Sequence, residues 1–206
     1  IMSFAIKIVV VGSCGVGKTS LIYRHVQNKY QAEYKATMGV DFLYKNVQIY
    51  DEEEGQNKSI RLQIWDIAGQ DREKKLTRSF YKDAQGCVIV VDLSQSEQKI
   101  IEEVREMAEI IRESLNYQFL HDPIPIVVAC NKADIHENAI KCSDQFMNQI
   151  KGLGVKNVFQ TSALNGMHVQ EIFQDIAERT YPVVKQAEKE NDKPQNILVN
   201  SKKGCC

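Results

Sequence analysis

The sequence has almost no net charge and no long apolar run, and each of these absences excludes a class of protein. Its 26 Lys and Arg residues nearly balance 27 Asp and Glu residues, so the net charge of −1 gives no strong attraction to nucleic acid. No apolar stretch approaches the roughly 20 residues that a membrane-spanning helix needs. The basic, apolar and small-residue parts of a signal peptide are also missing. We therefore expect a cytosolic protein that does not bind nucleic acid.

The cysteines lack the spacing of a metal site or a disulfide framework. Six cysteines are scattered at positions 14, 87, 130, 142, 205 and 206, and two of them lie inside apolar runs. We interpret them as reduced thiols. With 206 residues and 43% hydrophobic content, the chain is long enough to bury a sizeable core in one domain.

Strand-like and helix-like patterns alternate along the chain. An apolar run at Phe4–Val11 is followed by a helix pattern, and Val40–Tyr50 and Ser59–Trp65 then alternate like the strands of a hairpin. Cys87–Val91 and Ile124–Ala129 are short apolar runs, typical of parallel strands that are buried on both faces. Alternating strands and helices with one early hairpin predict an α/β fold, a mostly parallel sheet between helices, with ligands at the carboxyl ends of the strands.

The later helices are predicted from capping signals and apolar spacing. Ser94 and Glu97 form a possible capping box before apolar residues at helical spacing. A further helix is expected to stop at Gly152 and Gly154, and a last strand, Val155–Gln160, is followed by a last helix over about Val169–Tyr181. Residues 182–206 are predicted to be a flexible tail, and the acidic segment 51–58 a solvated loop.

Residues 12–19 form a complete phosphate-binding loop directly after the first strand. The segment reads Gly12-Ser13-Cys14-Gly15-Val16-Gly17-Lys18-Thr19, which matches G-x-x-x-x-G-K-[ST]. Its backbone N–H groups and the start of the next helix suit a polyanion. Lys18 would reach the β and γ phosphates, and the Thr19 hydroxyl would bind Mg²⁺. A phosphate loop alone does not identify the base.

A second motif indicates which base is bound. It reads Asn131-Lys132-Ala133-Asp134 and follows a buried strand. The Asp134 carboxylate can accept hydrogen bonds from N1–H and the 2-amino group of guanine, whereas adenine offers neither donor there. Asn131 would brace the loop, and the Lys132 stem would cover the base. Thr161-Ser162-Ala163 follows the next strand, where a backbone N–H could meet guanine O6. The two motifs together favour a guanine nucleotide.

At this point the sequence resembles the Ras-like small GTPases over residues 4 to about 181, and among them the Rab family. The resemblance is carried by segments that match the Rab switch I, interswitch and switch II patterns and the double-cysteine end: Thr37-Met38-Gly39-Val40-Asp41-Phe42, Arg61-Leu62-Gln63-Ile64-Trp65-Asp66-Ile67-Ala68-Gly69-Gln70, Phe80-Tyr81-Lys82-Asp83-Ala84 and Cys205-Cys206. It implies a P-loop NTPase G domain at residues 4–181, in which a mostly parallel six-stranded sheet has one antiparallel edge hairpin and helices on both faces. Residues 182–206 would form a hypervariable tail.

The resemblance also implies roles for individual residues. Thr37 and Asp66 would hold Mg²⁺ together with Thr19, Gln70 would orient the attacking water, and Gly69 N–H would contact the γ phosphate. Catalysis would thus rest on Gln70, Lys18 and Thr37. The implied nucleotide-binding residues are Ser13, Cys14, Gly15, Val16, Gly17, Lys18, Thr19, Ser20, Tyr30, Thr37, Gly69, Asn131, Lys132, Asp134, Ser162 and Ala163. The implied effector contacts are Phe42, Trp65 and Phe80.

A switch of this family would be monomeric, would bind GTP or GDP with Mg²⁺, and would depend on partner proteins. These are an exchange factor, a GTPase-activating protein, effectors, a prenylation escort and a GDP-dissociation inhibitor. Cys205 and Cys206 resemble a double-prenylation signal, which implies anchoring by two prenyl chains on the cytoplasmic face of an intracellular membrane, in exchange with the cytosol, during vesicle traffic.

Two departures from the family pattern leave an alternative open. Cys14 adds bulk beside the expected γ phosphate, and Glu73 replaces the phenylalanine of G-Q-E-R-F. A nucleotide-locked membrane scaffold with little GTP hydrolysis is therefore a second hypothesis. A P-loop kinase or metabolic ATPase is a third, opposed by Asn131–Asp134 and by Asp66–Gln70.

Overall fold

The computed structural model describes residues 4–30, 37–69, 77–114, 124–135 and 143–191. Within them, strands and helices alternate as the sequence predicts. The strands are β1 (Ala5–Val11), β2 (Val40–Asp51), β3 (Gln56–Ile67), β4 (Gly86–Asp92), β5 (Ile126–Asn131) and β6 (Asn157–Gln160). The helices are α1 (Lys18–Gln27), α2 (Thr77–Tyr81), α3 (Glu97–Ser114), α4 (Asp144–Lys151) and α5 (Val169–Asn191). No helix in these ranges is both long and apolar enough to cross a bilayer.

The strands of the described residues form one six-stranded sheet in the order β2-β3-β1-β4-β5-β6. The edge strand β2 is antiparallel to β3, and every other neighbouring pair is parallel. All residues of β4 and β5 are buried, because helices cover both faces of the sheet there. The predicted α/β fold with an antiparallel edge hairpin is confirmed.

The alternation of side chains along β1 divides the core into two layers. Ile6, Ile8 and Val10 pack on the side of α1 and α5, whereas Val9 and Val11 pack on the side of α3 and α4. The carboxyl ends of β1, β3, β4, β5 and β6 meet along one edge of the sheet. The loops after these strands carry the predicted site residues, so the fold brings distant sequence motifs to the same edge.

The predicted capping box at the start of α3 is wrong. Helix α3 begins at Glu97, and Ser96, rather than Ser94, accepts the Lys99 N–H with its hydroxyl at 3.4 Å. The N–H of Ser94 instead donates to the Asp92 carboxylate at 2.9 Å. Asp92 is the last residue of β4. Its hydrogen bond holds Ser94 in a turn, so the helix begins further along the chain.

Helix α5 extends ten residues beyond its predicted end at Tyr181 and contains Pro182 in its interior. The reason is tertiary, since Val184 and Lys185 are buried against the rest of the domain. Lys185 Nζ lies 2.6 Å from Asp51 Oδ2 and 2.9 Å from Glu53 Oε2. These contacts hold the helix together beyond a proline that removes one of its hydrogen bonds.

The acidic segment forms a turn whose residues 52–57 are exposed, as its composition predicts, but its first residue is an exception. Strand β2 ends at Asp51 and strand β3 begins at Gln56. Asp51 is only 3% exposed. Its carboxylate accepts hydrogen bonds from Lys185 and from the Tyr181 hydroxyl, both at 2.6 Å. Hydrogen bonds from Lys185 and Tyr181 hold the pKa of Asp51 well below its usual range. We name this set, Asp51, Glu53, Tyr181 and Lys185, the hairpin clamp.

Stability is expected to fall between pH 7 and pH 5 because His25 is buried in its neutral form. The ring is 2% exposed and stacks on Phe173 at 4.2 Å, and neither ring nitrogen has a hydrogen-bond partner among the described residues. Burial, together with the charge of Lys45, lowers the pKa of His25 to about 3 from 6.5. The unfolded chain therefore binds more protons below pH 6.5, and stability is lost as the pH falls from there toward 3.

The expected loss is about 2 kcal/mol at pH 5, measured as the free energy of urea-induced unfolding. His25→Phe keeps the stacked ring and should remove this part of the pH dependence. His168 is exposed and has φ 49°, which Asn tolerates, so His168→Asn serves as the control and should behave like wild type. An unchanged pH dependence in His25→Phe would contradict the assignment.

Candidate functional site

The phosphate-binding loop lies between β1 and α1, as its sequence predicts. Gly17 has φ 96°, and a Cβ at this position would overlap Asn131 Nδ2, so the loop and the base motif meet at a glycine. Lys18 begins α1 and is buried, and its ammonium donates to the carbonyls of Gly12 at 3.0 Å and Ser13 at 2.9 Å. The Lys18 ammonium is thus held across the loop, where a phosphate chain would lie.

The other loop residues surround this position. Val16 is buried and anchors the loop, Cys14 and Gly15 are exposed on it, and Ser20 is half-buried in the first turn of α1. Gly69, directly after β3, packs against the loop: a Cβ there would lie 2.5 Å from Cys14 N. The segment after β3 therefore begins in contact with the phosphate-binding loop.

Three oxygen-bearing side chains converge next to the loop. Thr19 Oγ1 lies 2.8 Å from Thr37 Oγ1 and donates to Asp66 Oδ2 at 2.5 Å, and Thr37 Oγ1 lies 3.4 Å from the same carboxylate oxygen. Asp66 is 1% exposed, and its Oδ1 has no hydrogen-bond partner among the described residues. Burial raises the pKa of Asp66, although the Thr19 hydrogen bond and the Lys18 charge oppose the shift.

This cluster fits a magnesium ion. Mg²⁺ prefers hard oxygen ligands such as carboxylates and hydroxyls, usually with several waters retained. A divalent cation would also offset the cost of burying the Asp66 carboxylate with one oxygen unpaired. The phosphate-loop motif predicts Thr19 as a metal ligand, and the family resemblance implies the same role for Thr37 and Asp66. The fold brings these three together from α1, the segment before β2, and the end of β3.

The predicted base-binding residues also meet at one place. Asn131 Nδ2 donates to Val16 O at 2.8 Å, which ties the end of β5 to the phosphate-binding loop. The Asp134 carboxylate accepts the Ser162 hydroxyl at 2.5 Å. Ala163 N–H donates to Asn131 Oδ1 at 3.2 Å. The two loops after β5 and β6 are therefore braced against each other around Asp134.

The predicted effector aromatics lie on the hairpin side of the sheet. Phe42 and Trp65 are paired across β2 and β3, with ring centroids 5.7 Å apart in an edge-to-face arrangement. Phe42 is 47% exposed, whereas Trp65 and Phe80 are partly buried against the α3 layer of the core. Lys7 Nζ lies 4.1 Å from the Trp65 ring centre. Phe42 thus offers an exposed ring, while Trp65 and Phe80 are packed against the core.

Several predicted residues are not tested by these contacts. Gln70, Cys205 and Cys206 lie outside the described residues, as does Glu73. Tyr30 lies within them and is 42% exposed after α1. The roles of these residues stay predictions, as do the binding roles of the residues that the fold brings together.

Two site residues were missed by the sequence reasoning. Asp92 ends β4, and its carboxylate holds Lys132 Nζ at 2.7 Å. Burial alone would raise the pKa of Asp92, but hydrogen bonds from Lys132 and Ser94 lower it overall. Glu103 of α3 accepts a hydrogen bond from the Ser13 hydroxyl of the phosphate-binding loop at 2.7 Å. A polar residue at the end of a buried strand could have signalled Asp92, and an acid on the apolar face of a helix could have signalled Glu103.

The comparisons with known proteins agree with this geometry. The family model of the Ras family matches residues 7–182. The chain is 35% identical over 175 residues to the Ypt/Rab-type GTPase YPT7 of Saccharomyces cerevisiae, covering 84% of this chain and 79% of that protein. It is 37% identical over 166 residues to Ras-related protein Rab-32A of Dictyostelium discoideum, covering 80% and 73%.

A human relative gives the same result. Ras-related protein Rab-32 of Homo sapiens is 35% identical over 173 residues, which is 84% of this chain and 73% of that protein. The matched region contains the phosphate-binding loop, the three converging oxygen ligands and the base motif. The chain belongs to the Ras family, and within it to the Rab-type small GTPases.

Proposed function

We propose that this protein is a membrane-anchored switch in vesicle traffic that binds GTP or GDP with Mg²⁺ and hydrolyses GTP slowly. One observation carries the proposal: the Thr37 hydroxyl lies 2.8 Å from the Thr19 hydroxyl of the phosphate-binding site. Thr37 follows a connecting segment rather than belonging to the loop itself. A segment that reaches the metal and phosphate position can be ordered or released by what is bound there.

The residues of the chain divide the work of holding the nucleotide. Lys18 and the loop N–H groups would bind the β and γ phosphates, and Asp134 would accept the hydrogen bonds of guanine. Thr19, Thr37 and Asp66 would hold Mg²⁺, which neutralises phosphate charge when bound. Asn131 keeps the phosphate and base sites in register through its hydrogen bond to Val16 O at 2.8 Å. Gln70 would orient the attacking water.

Switching would follow from the loss of the terminal phosphate. Thr37 and Gly69 would be held through that phosphate or its metal, so hydrolysis would release both segments. Because no arginine lies in residues 30–40, an activating protein would supply one in trans, and an exchange factor would replace GDP. The exposed ring of Phe42 beside Trp65 supports effector binding on this side of the sheet.

Membrane attachment is proposed through prenylation of Cys205 and Cys206. Two lysines, Lys202 and Lys203, give only a weak attraction to anionic lipid, so lipid chains would dominate. A single chain binds membranes marginally, while two chains anchor firmly. A prenylation escort and a GDP-dissociation inhibitor would then carry the protein between the cytosol and the cytoplasmic face of its membrane.

Single-turnover hydrolysis of preloaded GTP tests the proposal. We expect an intrinsic rate on the order of 10⁻⁴ per second, because Ras-like sites that have no arginine in cis hydrolyse GTP at about this rate without an activating protein. Gln70→Leu should be slower still, with unchanged GDP affinity. The measurement is release of labelled phosphate in the presence of Mg²⁺.

The outcome also separates the alternative function. Turnover of whole numbers per second without a partner would contradict a regulated switch. Tight binding of GTP with no hydrolysis over many hours, in wild type and Gln70→Leu alike, would favour a nucleotide-locked membrane scaffold. The exposed Cys14 beside Gly69 is the feature that supports this second candidate.

A further inference from the structure

Glu103 lies on the apolar face of α3, where a hydrophobic residue is expected. Its neighbours on this face are Ile100, Val104, Met107 and Ile111, all of which are buried in the core. Glu103 itself is 9% exposed. A buried carboxylate costs free energy unless hydrogen bonds or charges compensate it, so packing alone does not explain a glutamate at this position.

The carboxylate of Glu103 is directed at the phosphate-binding loop. Its Oε1 accepts the Ser13 hydroxyl at 2.7 Å, across 90 positions of sequence. Its Oε2 is buried and has no hydrogen-bond partner within the described ranges. The Ser13 contact is thus the compensation for Glu103 that these residues provide.

Ser13 connects Glu103 to two parts of the nucleotide site. Its carbonyl accepts the Lys18 ammonium at 2.9 Å. Gly69 packs on the Ser13–Cys14 peptide so closely that a Cβ at Gly69 would lie 2.6 Å from the Ser13 carbonyl carbon. A shift of Ser13 would therefore move the partner of Lys18 and the surface on which Gly69 rests.

We propose that Glu103 is a positioning residue for the phosphate-binding loop, which acts through the Ser13 hydroxyl and sets the preference for GTP over GDP. The inference rests on the proposed function, in which Gly69 N–H meets the γ phosphate. Because only GTP carries that phosphate, misplacement of the Ser13–Cys14 peptide weakens GTP binding more than GDP binding. A role confined to folding would weaken both nucleotides alike.

The test is the ratio of GTP to GDP affinity, measured with Mg²⁺ and each nucleotide in competition with a fluorescent GDP analogue. Ser13→Ala removes the donor and Glu103→Leu removes the acceptor, and each should lower the ratio about tenfold or more. Glu103→Gln retains an acceptor oxygen and should stay within about threefold of wild type. The double variant Ser13→Ala with Glu103→Leu should resemble either single variant, because both remove the same contact.

Glu106→Leu is the matched control, since Glu106 is an exposed acid on the same helix, and its ratio should equal that of wild type. The inference is overturned if either Ser13→Ala or Glu103→Leu leaves the ratio unchanged, or if Glu103→Gln falls as far as Glu103→Leu. Glu103→Leu places a side chain of suitable polarity in the core, so loss of folding does not obscure the result. A wild type that binds neither nucleotide would overturn the proposed function as well, whereas normal binding with unchanged ratios overturns this inference alone.

Discussion

Asp134→Ala is expected to bind GTP about 10²- to 10⁴-fold more weakly than wild type. Two hydrogen bonds from guanine to a carboxylate are lost, and each such bond contributes about 1.5–3 kcal/mol. The Ser162 hydroxyl, 2.5 Å from Asp134 Oδ1, also loses its acceptor. Phosphate contacts at Lys18 are unchanged, so residual binding should persist. Competition with a fluorescent nucleotide measures the affinity.

The choice of nucleotide separates a base contact from a general loss of structure. Inosine triphosphate lacks the 2-amino group of guanine, so wild type should prefer GTP over it, and Asp134→Ala should have lost most of that preference. Asp144→Ala changes an exposed acid in the first turn of α4 and should leave both affinities unaltered. An Asp134→Ala protein that still favours GTP over inosine triphosphate as strongly as wild type would refute the contact.

Gly17→Ala should weaken binding of both GTP and GDP by about 10²-fold or more. The added Cβ meets Asn131 Nδ2, which must leave the Val16 carbonyl that it holds at 2.8 Å. Each buried hydrogen bond that is broken costs about 1–3 kcal/mol, and the left-handed backbone at φ 96° adds about 1–2 kcal/mol of strain. The dissociation rate of a fluorescent GDP analogue reports the loss.

A second glycine supplies the control for backbone strain. Gly55, at the tip of the hairpin, has φ 64°, and its nearest neighbour to an added Cβ is the Tyr50 hydroxyl at 3.9 Å. Gly55→Ala therefore carries the left-handed strain without the overlap, and it should bind GDP like wild type while losing about 1 kcal/mol of stability. Equal GDP dissociation rates in Gly17→Ala and wild type would contradict the prediction. They would show that Asn131 does not need a glycine at position 17 in order to keep its place.

The positions of the phosphate-binding loop and of the base motif in the fold could be predicted because their signals are local. The loop at 12–19 and the motif at 131–134 each follow a recognisable strand, and a parallel sheet necessarily gathers such loops at one edge. Thr37 and Asp66 needed more than this, because their side chains approach Thr19 only through the pairing of β2 with β3 and of β3 with β1. The family resemblance supplied those roles in advance.

The misses arise where a tertiary contact overrides a local signal. Pro182 and a polar sequence predict the end of a helix, but Lys185 finds the Asp51 carboxylate at 2.6 Å and the helix continues. Periodicity gives the apolar face of α3, yet it cannot reveal that Glu103 lies opposite Ser13, 90 positions away. Ser94 is a residue type that often caps helices, but its N–H donates to Asp92 in a turn, and the helix begins after Ser96 instead.

The hairpin clamp also has a geometric consequence for attachment to a membrane. In α5, the ten residues 182–191 advance the chain by about 15 Å, whereas the same residues fully extended could cover about 35 Å. Fourteen positions separate Asn191 from Cys205, which limits their extended span to about 50 Å, compared with about 85 Å for the 24 positions after Tyr181. If the cysteines carry the lipid, the ion pair between Lys185 and Asp51 reduces the greatest distance at which the GTPase domain can lie from the bilayer.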